Sequence, residues 1–228
     1  MTIQSQSPLP TLHIDLVVDT ICPWCYIGRR RLQKAVAQRP GLDIRVRTRS
    51  FLLNPNMPDE GVDQVTYMSR RFGNEQRIGR ILDAIEDVGR AEEIPFNFER
   101  VEKVPNSLNS HRLIRLSADL GRQEQIVDAL YEAHFVDGRD IGDPWTLIDI
   151  AAENGYDSEM VQGYLEGLNG VEQVLTDNAW AHRQGINGVP TYLFEGGPAL
   201  SGAHEPQVLL RLIDVAKELA GQTLLRDD

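Results

Sequence analysis

The chain of 228 residues carries 34 acidic and 23 basic side chains, a formal charge of −11, with 41% apolar and 25% charged residues. That composition suits one large globular domain or a core domain with an insertion, and its negative charge argues against a nucleic-acid or membrane-surface partner. No apolar run approaches the roughly 20 residues that cross a bilayer, and the opening MTIQSQSPLPTL has neither a basic n-region nor an apolar h-region, so a cytoplasmic location is expected.

Leu12 to Val18 alternates apolar and polar residues before turning fully apolar, which reads as a strand entering a sheet. Cys22-Pro23-Trp24-Cys25 follows at once. From Pro23 to about Gln38, Trp24, Ile27, Leu32, Ala35 and Val36 share one helical face. Arg29, Arg30, Arg31 and Lys34 fall mostly outside it and are expected to form a solvated basic face. Leu42, Ile44, Val46 and Thr48 then alternate with Asp43, Arg45, Arg47 and Arg49, the pattern of a sheet-edge strand with one charged face. Strand, helix, strand over this length is a βαβ unit.

From about Val62 to Gln184 only helical periodicity is found. Ile78, Ile81, Leu82, Ile85 and Val88 form one stripe; Leu113, Leu116 and Leu120 form another, ended by Gly121; Ile126, Val127, Leu130 and Tyr131 make a third. Asp143-Pro144 is an N-cap followed by proline at the first helical position, closed near Gly155. Val171, Val174 and Leu175 mark the last helix before Gly185. Strand character returns at Thr191 to Phe194, with a turn over 195–198 and a return strand at Ala199 to Ser201, so a β-hairpin is expected. A final helix from near Pro206 turns Leu209, Leu212, Ile213, Ala216 and Leu219 inward and stops at Gly221, leaving Arg226, Asp227 and Asp228 frayed.

The two cysteines, Cys22 and Cys25, are too few for a secreted disulfide framework, and a loop this short restrains the unfolded chain little. The pair is therefore read as chemical. Pro23 biases Cys22 toward extended geometry, so Cys22 should cap the helix with Pro23 as its first residue. There the sulfur faces free backbone N–H groups and the positive end of the helix dipole, which favour the nucleophilic thiolate. Cys25, one turn inward, is placed to resolve a mixed disulfide. A zinc site would need two further Cys or His ligands; no second cysteine pair exists and His13, His111, His134, His182 and His204 are scattered, so no metal is expected. By its own residues Gly188-Val189-Pro190-Thr191 reads as a loop breaker before a strand.

Taken together, Cys-Pro-Trp-Cys-Tyr-Ile-Gly with its arginine run, Asn54-Pro55, Gly138-Arg139-Asp140-Ile141 and the stretch from Gly185 to Leu193 resemble the DsbA-like thioredoxin superfamily, in particular its FrnE-like branch. The neighbours of that branch are the 2-hydroxychromene-2-carboxylate isomerases and kappa-class glutathione transferases. The resemblance implies an α/β chain with a thioredoxin-like domain over residues 11–61 and 185–228 and an all-helical insertion domain over 62–184. It implies a cis Val189-Pro190 peptide beside Cys22 and Cys25, with the Val189 backbone pairing an extended substrate. Asp19 matches an acid that could help proton transfer or could be a solvated turn residue; Asn54 matches a cleft residue or a turn former. The buried acid six positions before the nucleophile is replaced by Leu16, so proton transfer at Cys25 needs another group or water.

The activity implied is thiol-disulfide exchange, with disulfide-containing proteins or glutathione as partners and glutathione as redox partner or cosubstrate. No bound cofactor is expected, and a homodimer is compatible with the sequence. Pro23 and Trp24 add no charge or strong donor to the thiolate, so a moderate reduction potential is expected. The alternatives are a glutathione-dependent isomerase or transferase, although Ser201-Gly202-Ala203-His204 lacks the acid that would grip the glutathione amine, and a non-catalytic holdase using the acidic helical block.

Overall fold

The structure, a computed structural model, describes residues 11–224. The opening residues and the three terminal ones expected to fray lie outside the described residues. Strand β1 (Thr11–Val18) leads into helix α1 (Pro23–Ala37) and strand β2 (Asp43–Ser50), which lies parallel to β1 with Thr11 opposite Asp43 and Val18 opposite Ser50. The hairpin β5 (Thr191–Phe194) and β6 (Ala199–Ser201) completes a four-stranded sheet in the order β2-β1-β5-β6, with β5 antiparallel to β1. Helix α9 (Pro206–Leu224) packs with α1 against this sheet and runs past Gly221, where the sequence had suggested a stop.

The period of two along β1 divides its neighbours. Leu12, Ile14, Leu16 and Val18 enter the main core, whereas Val17 joins Phe51, Ala181 and Ile186 on the opposite face. Edge strand β2 carries its charges in partnership. Arg47 and Arg49 both grip Asp15 of β1, at 2.7 and 2.6 Å, and Arg49 reaches Asp177 at 3.0 Å while lying over the Trp180 ring. Burial pushes the Asp15 carboxyl up, but the two guanidinium groups outweigh it and hold the group below the usual range.

Between the two halves of the sheet come α2 (Gln64–Phe72), α3 (Glu75–Ala91), α4 (Leu108–Asp119), α5 (Gln123–Phe135), α6 (Pro144–Glu153), α7 (Ser158–Glu166) and α8 (Val171–Arg183). Asp143 caps α6 as expected, its carboxylate accepting the Thr146 N–H at 2.8 Å. The insertion is not all-helical, however. Val62–Asp63 (β3) pairs antiparallel with Lys103–Val104 (β4), a ribbon too short to leave a period in the sequence. Three leucines of the expected helical stripes also face out: Leu120, Leu175 and Leu219 are exposed. The buried apolar residues of the sheet and of α4 to α7 form one continuous cluster.

Candidate active site

Cys22 is the N-cap of α1, with φ −103° and ψ 111°, and Pro23 opens the helix, as the motif requires. Its sulfur makes no capping hydrogen bond. The Cys25 and Tyr26 N–H groups, at 3.0 and 3.4 Å, are taken by the Cys22 carbonyl, so of the first-turn amides only that of Trp24 meets no partner among the described residues. The expectation that several free amides face the sulfur is corrected to the dipole plus one amide. The Cys22 thiol instead donates to the Val189 carbonyl at 3.8 Å.

The Val189-Pro190 peptide is cis. The Val189 N–H meets no partner among the described residues, and its carbonyl meets only the Cys22 thiol. A strip of backbone beside the sulfur is thus left available. Gly28, one turn beyond Cys25, lets α1 approach this loop: a Cβ there would stand 2.5 Å from the Tyr192 hydroxyl and 2.8 Å from Pro190 Cγ.

The cysteines differ in access. Cys22 is 7% exposed and Cys25 is fully buried. Burial, together with the hydrogen bond and charge of neighbouring Cys22, pushes the Cys25 thiol well above its ordinary range. Trp24 is exposed and, with Arg77, Arg80, Ile81 and Ala84 of α3, lines a cavity of about 460 Å³ at the mouth of the motif. Arg77 and Arg80 form no ion pair among the described residues, although Arg80 Nε donates to the Gln76 carbonyl at 3.4 Å, so two cations without a carboxylate partner stand beside Trp24 of the motif in an acidic chain.

Asp19 is not a solvated turn residue. It is completely buried, with Oδ2 accepting the Leu53 N–H at 2.7 Å, Oδ1 accepting the Ile21 N–H at 3.4 Å, and its carbonyl accepting the Cys22 N–H at 3.1 Å. His111 Nε2 of α4 lies 3.3 Å from Oδ1. Leu16 is buried and apolar, and Asp19, in the turn after β1, is a buried acid close in sequence to the motif. Tyr131 of α5 donates its hydroxyl to the Asp19 carbonyl at 3.3 Å and stacks on Tyr26, with ring centroids 5.1 Å apart. Asn54 is a turn former: its carbonyl accepts the Met57 N–H and its side-chain amide is engaged by the Tyr67 hydroxyl.

The arginine run is corrected most sharply. Arg29 and Arg31 are buried and tie α1 to distant segments. Arg29 makes two bonds to Asp128 and one to the Glu124 carbonyl; Arg31 meets Glu92, the Ala203 carbonyl and Glu205. Arg30 alone keeps partial exposure, over the Tyr26 ring. Among the described residues no group of three or more His, Cys, Asp or Glu side chains could hold a metal, and no helix is long and apolar enough to cross a membrane.

A family model, the DSBA-like thioredoxin domain, matches residues 13–214. The chain belongs to that family. Among solved structures, a probable DsbA oxidoreductase from Streptomyces coelicolor superposes with a TM-score of 0.85 at 27% identity, over 91% of this chain and 90% of that one. The cytosolic disulfide reductase DsbM from Pseudomonas aeruginosa, in its structure with GSH, shares the fold at a TM-score of 0.61 and 19% identity, over 93% and 99% of the two chains. The protein YwbO of Bacillus subtilis is 23% identical over 205 residues, 89% of this chain and 96% of its own. The DsbA-like assignment makes an enzyme of the oxidoreductase or isomerase kind.

His111, Tyr131 and Tyr192 were not singled out as site residues from the sequence. Tyr131 lay on a buried stripe, and Tyr192 follows the proline loop by two residues. One histidine among five, in a helix with no other signal, carried no mark.

Proposed function

We propose that this chain is a thiol-disulfide oxidoreductase working through Cys22 and Cys25. The Cys22 thiolate attacks one sulfur of a client disulfide, forming a mixed disulfide and releasing the other client sulfur as a thiolate. Cys25 then loses its proton to Asp19 and attacks the Cys22 sulfur; the internal disulfide forms, the mixed disulfide breaks, and the second client thiolate leaves. Two molecules of glutathione restore the reduced enzyme: the first forms a mixed disulfide with Cys22 and frees Cys25, and the second attacks the glutathione sulfur, leaving as glutathione disulfide and freeing Cys22; the reverse of the client sequence oxidises a client. In a cytoplasmic setting the redox poise favours the dithiol, so reduction or isomerisation is the working direction.

The observation that carries this reading is the split between Cys22 at a helix start, with a sliver of exposed surface and the Val189 backbone beside it, and a Cys25 wholly buried and kept protonated one turn below. The Val189 N–H, which meets no partner among the described residues, and its carbonyl, held only by the Cys22 thiol, suit an extended peptide bound as an added strand. The test is turnover of insulin and of a glutathione mixed disulfide. Cys22→Ser is expected to abolish it, and Cys25→Ser to stop after one turnover with the mixed disulfide trapped. Sustained turnover of Cys25→Ser, with 2-hydroxychromene-2-carboxylate isomerisation intact, would establish the glutathione-dependent alternative instead.

A further inference from the structure

Asp19 and His111 are 92 residues apart in the chain and meet with both side chains at zero exposure. Polar groups at that depth are normally fully hydrogen-bonded. Asp19 satisfies the rule with two backbone amides and the imidazole, but His111 Nδ1 has no partner. Leaving a buried ring nitrogen unpaired costs about 1–3 kcal/mol, which an apolar side chain of similar size would avoid. Packing therefore gives no reason for histidine here, whereas an Nε2–H donor aimed at the carboxylate does. Asp19 also borders the motif: its carbonyl accepts the Cys22 N–H at 3.1 Å, and its carboxylate charge is among the influences that raise the Cys25 thiol.

We infer that His111 is a positioning residue for the resolving step: its Nε2–H holds the Asp19 carboxylate in the orientation that accepts the Cys25 proton. This rests on the reading of Cys22 as attacking and Cys25 as resolving thiol. In the step, the S–H bond of Cys25 breaks, Asp19 gains the proton, the Cys25–Cys22 bond forms, and the bond from Cys22 to the client sulfur breaks. The ionisable groups bearing on this site are Cys22 at the cap of α1, Cys25 and Arg29 on α1, Tyr131 and His134 on α5, and Tyr192 on β5. Any pH profile of the step reads them together.

The test is rapid-quench kinetics on full-length protein with a glutathione mixed disulfide, separating formation of the Cys22 mixed disulfide from its resolution between pH 5 and 9. His111→Leu is expected to lower the ratio of resolution to formation about tenfold, the effect of losing one hydrogen bond to a charged group, and to move the pH midpoint of resolution. His111→Gln, which restores a donor near the Nε2 position, is expected to recover most of that ratio. Should His111→Leu fail to fold, His111→Asn, whose amide cannot reach the Nε2 position, replaces it with the same expectation. An unchanged ratio and pH midpoint in the Leu or Asn variant, or equal losses in that variant and in Gln, would overturn the inference. Absence of any mixed disulfide on wild-type Cys22 would overturn the underlying reading instead.

Discussion

Arg29 and Asp128 are joined by two hydrogen bonds, 2.6 Å from Nε and 3.0 Å from Nη2, between the motif helix and α5. The Arg29 side chain is 2% exposed and that of Asp128 29%, so the pair is bidentate, with its guanidinium shielded from water and its carboxylate partly open to it. Breaking such a pair by removing one partner leaves a buried charge uncompensated. Asp128→Ala is expected to lower unfolding stability by about 3 kcal/mol, read from the urea midpoint. Arg30→Ala, a neighbouring and partly exposed arginine, is expected to cost well under half of that.

Gly28 has the opposite sensitivity, to added volume. The Tyr192 hydroxyl and the Pro190 ring already occupy the space a methyl group would need. Gly28→Ala is expected to destabilise by about 1–3 kcal/mol despite the better helix propensity of alanine, because α1 or the proline loop must shift. Thermal unfolding measures the loss. A stabilised variant would show that α1 does not seat against this loop.

His134 of α5 makes stability depend on pH. Burial holds its pKa at about 4, against about 6.5 in the unfolded chain. The folded state therefore binds the proton more weakly, and the contribution is complete above about pH 6.5 and lost progressively as the pH falls to about 4. Over that window the loss is on the order of 3 kcal/mol. Glu92, which burial raises but Lys34 and Arg31 hold below the ordinary carboxylate range, adds its own loss at more acid pH. Urea titrations at several pH values should give a flatter dependence between 6.5 and 4 for His134→Gln than for the wild type.

Arg77 and Arg80 bear on substrate charge. They stand with Trp24 around the 460 Å³ cavity and have no carboxylate partner among the described residues. Replacing both with Glu is expected to slow reduction of oxidised glutathione, a net anion, about fivefold at low salt, with the loss shrinking as ionic strength rises. A neutral disulfide such as hydroxyethyl disulfide should be much less affected. Equal slowing of both substrates would assign the effect to structure.

The elements whose periodicity was local could be read from the sequence. β1, β2, the hairpin and α1 each carry their own pattern, and Pro23 places the cap on Cys22 by fixing a single backbone angle. What stayed hidden depends on distant partners. Arg29 and Arg31 look like a solvent face until Asp128 and Glu92, 99 and 61 residues away, fold over them. The cis Val189-Pro190 bond was reached through family resemblance, since the four residues alone describe an ordinary loop breaker. The Asp19–His111 contact has no sequence signature, because the two residues lie 92 apart and no local pattern pairs the turn after β1 with α4.

Arg31 closes the α1 end of the molecule in a particular way. One guanidinium meets Glu92 just beyond α3, the Ala203 carbonyl after β6, and Glu205 at the start of α9. The helix bearing both sulfurs is thereby bolted to the insertion and to the C-terminal segment at once, so swinging the insertion outward would drag the nucleophile along. If Cys22 attacks client disulfides as proposed, a client whose cystine lies in a pliable stretch is expected to react faster than one whose cystine is locked in a knot, since Arg31 ties the motif helix to both flanking segments.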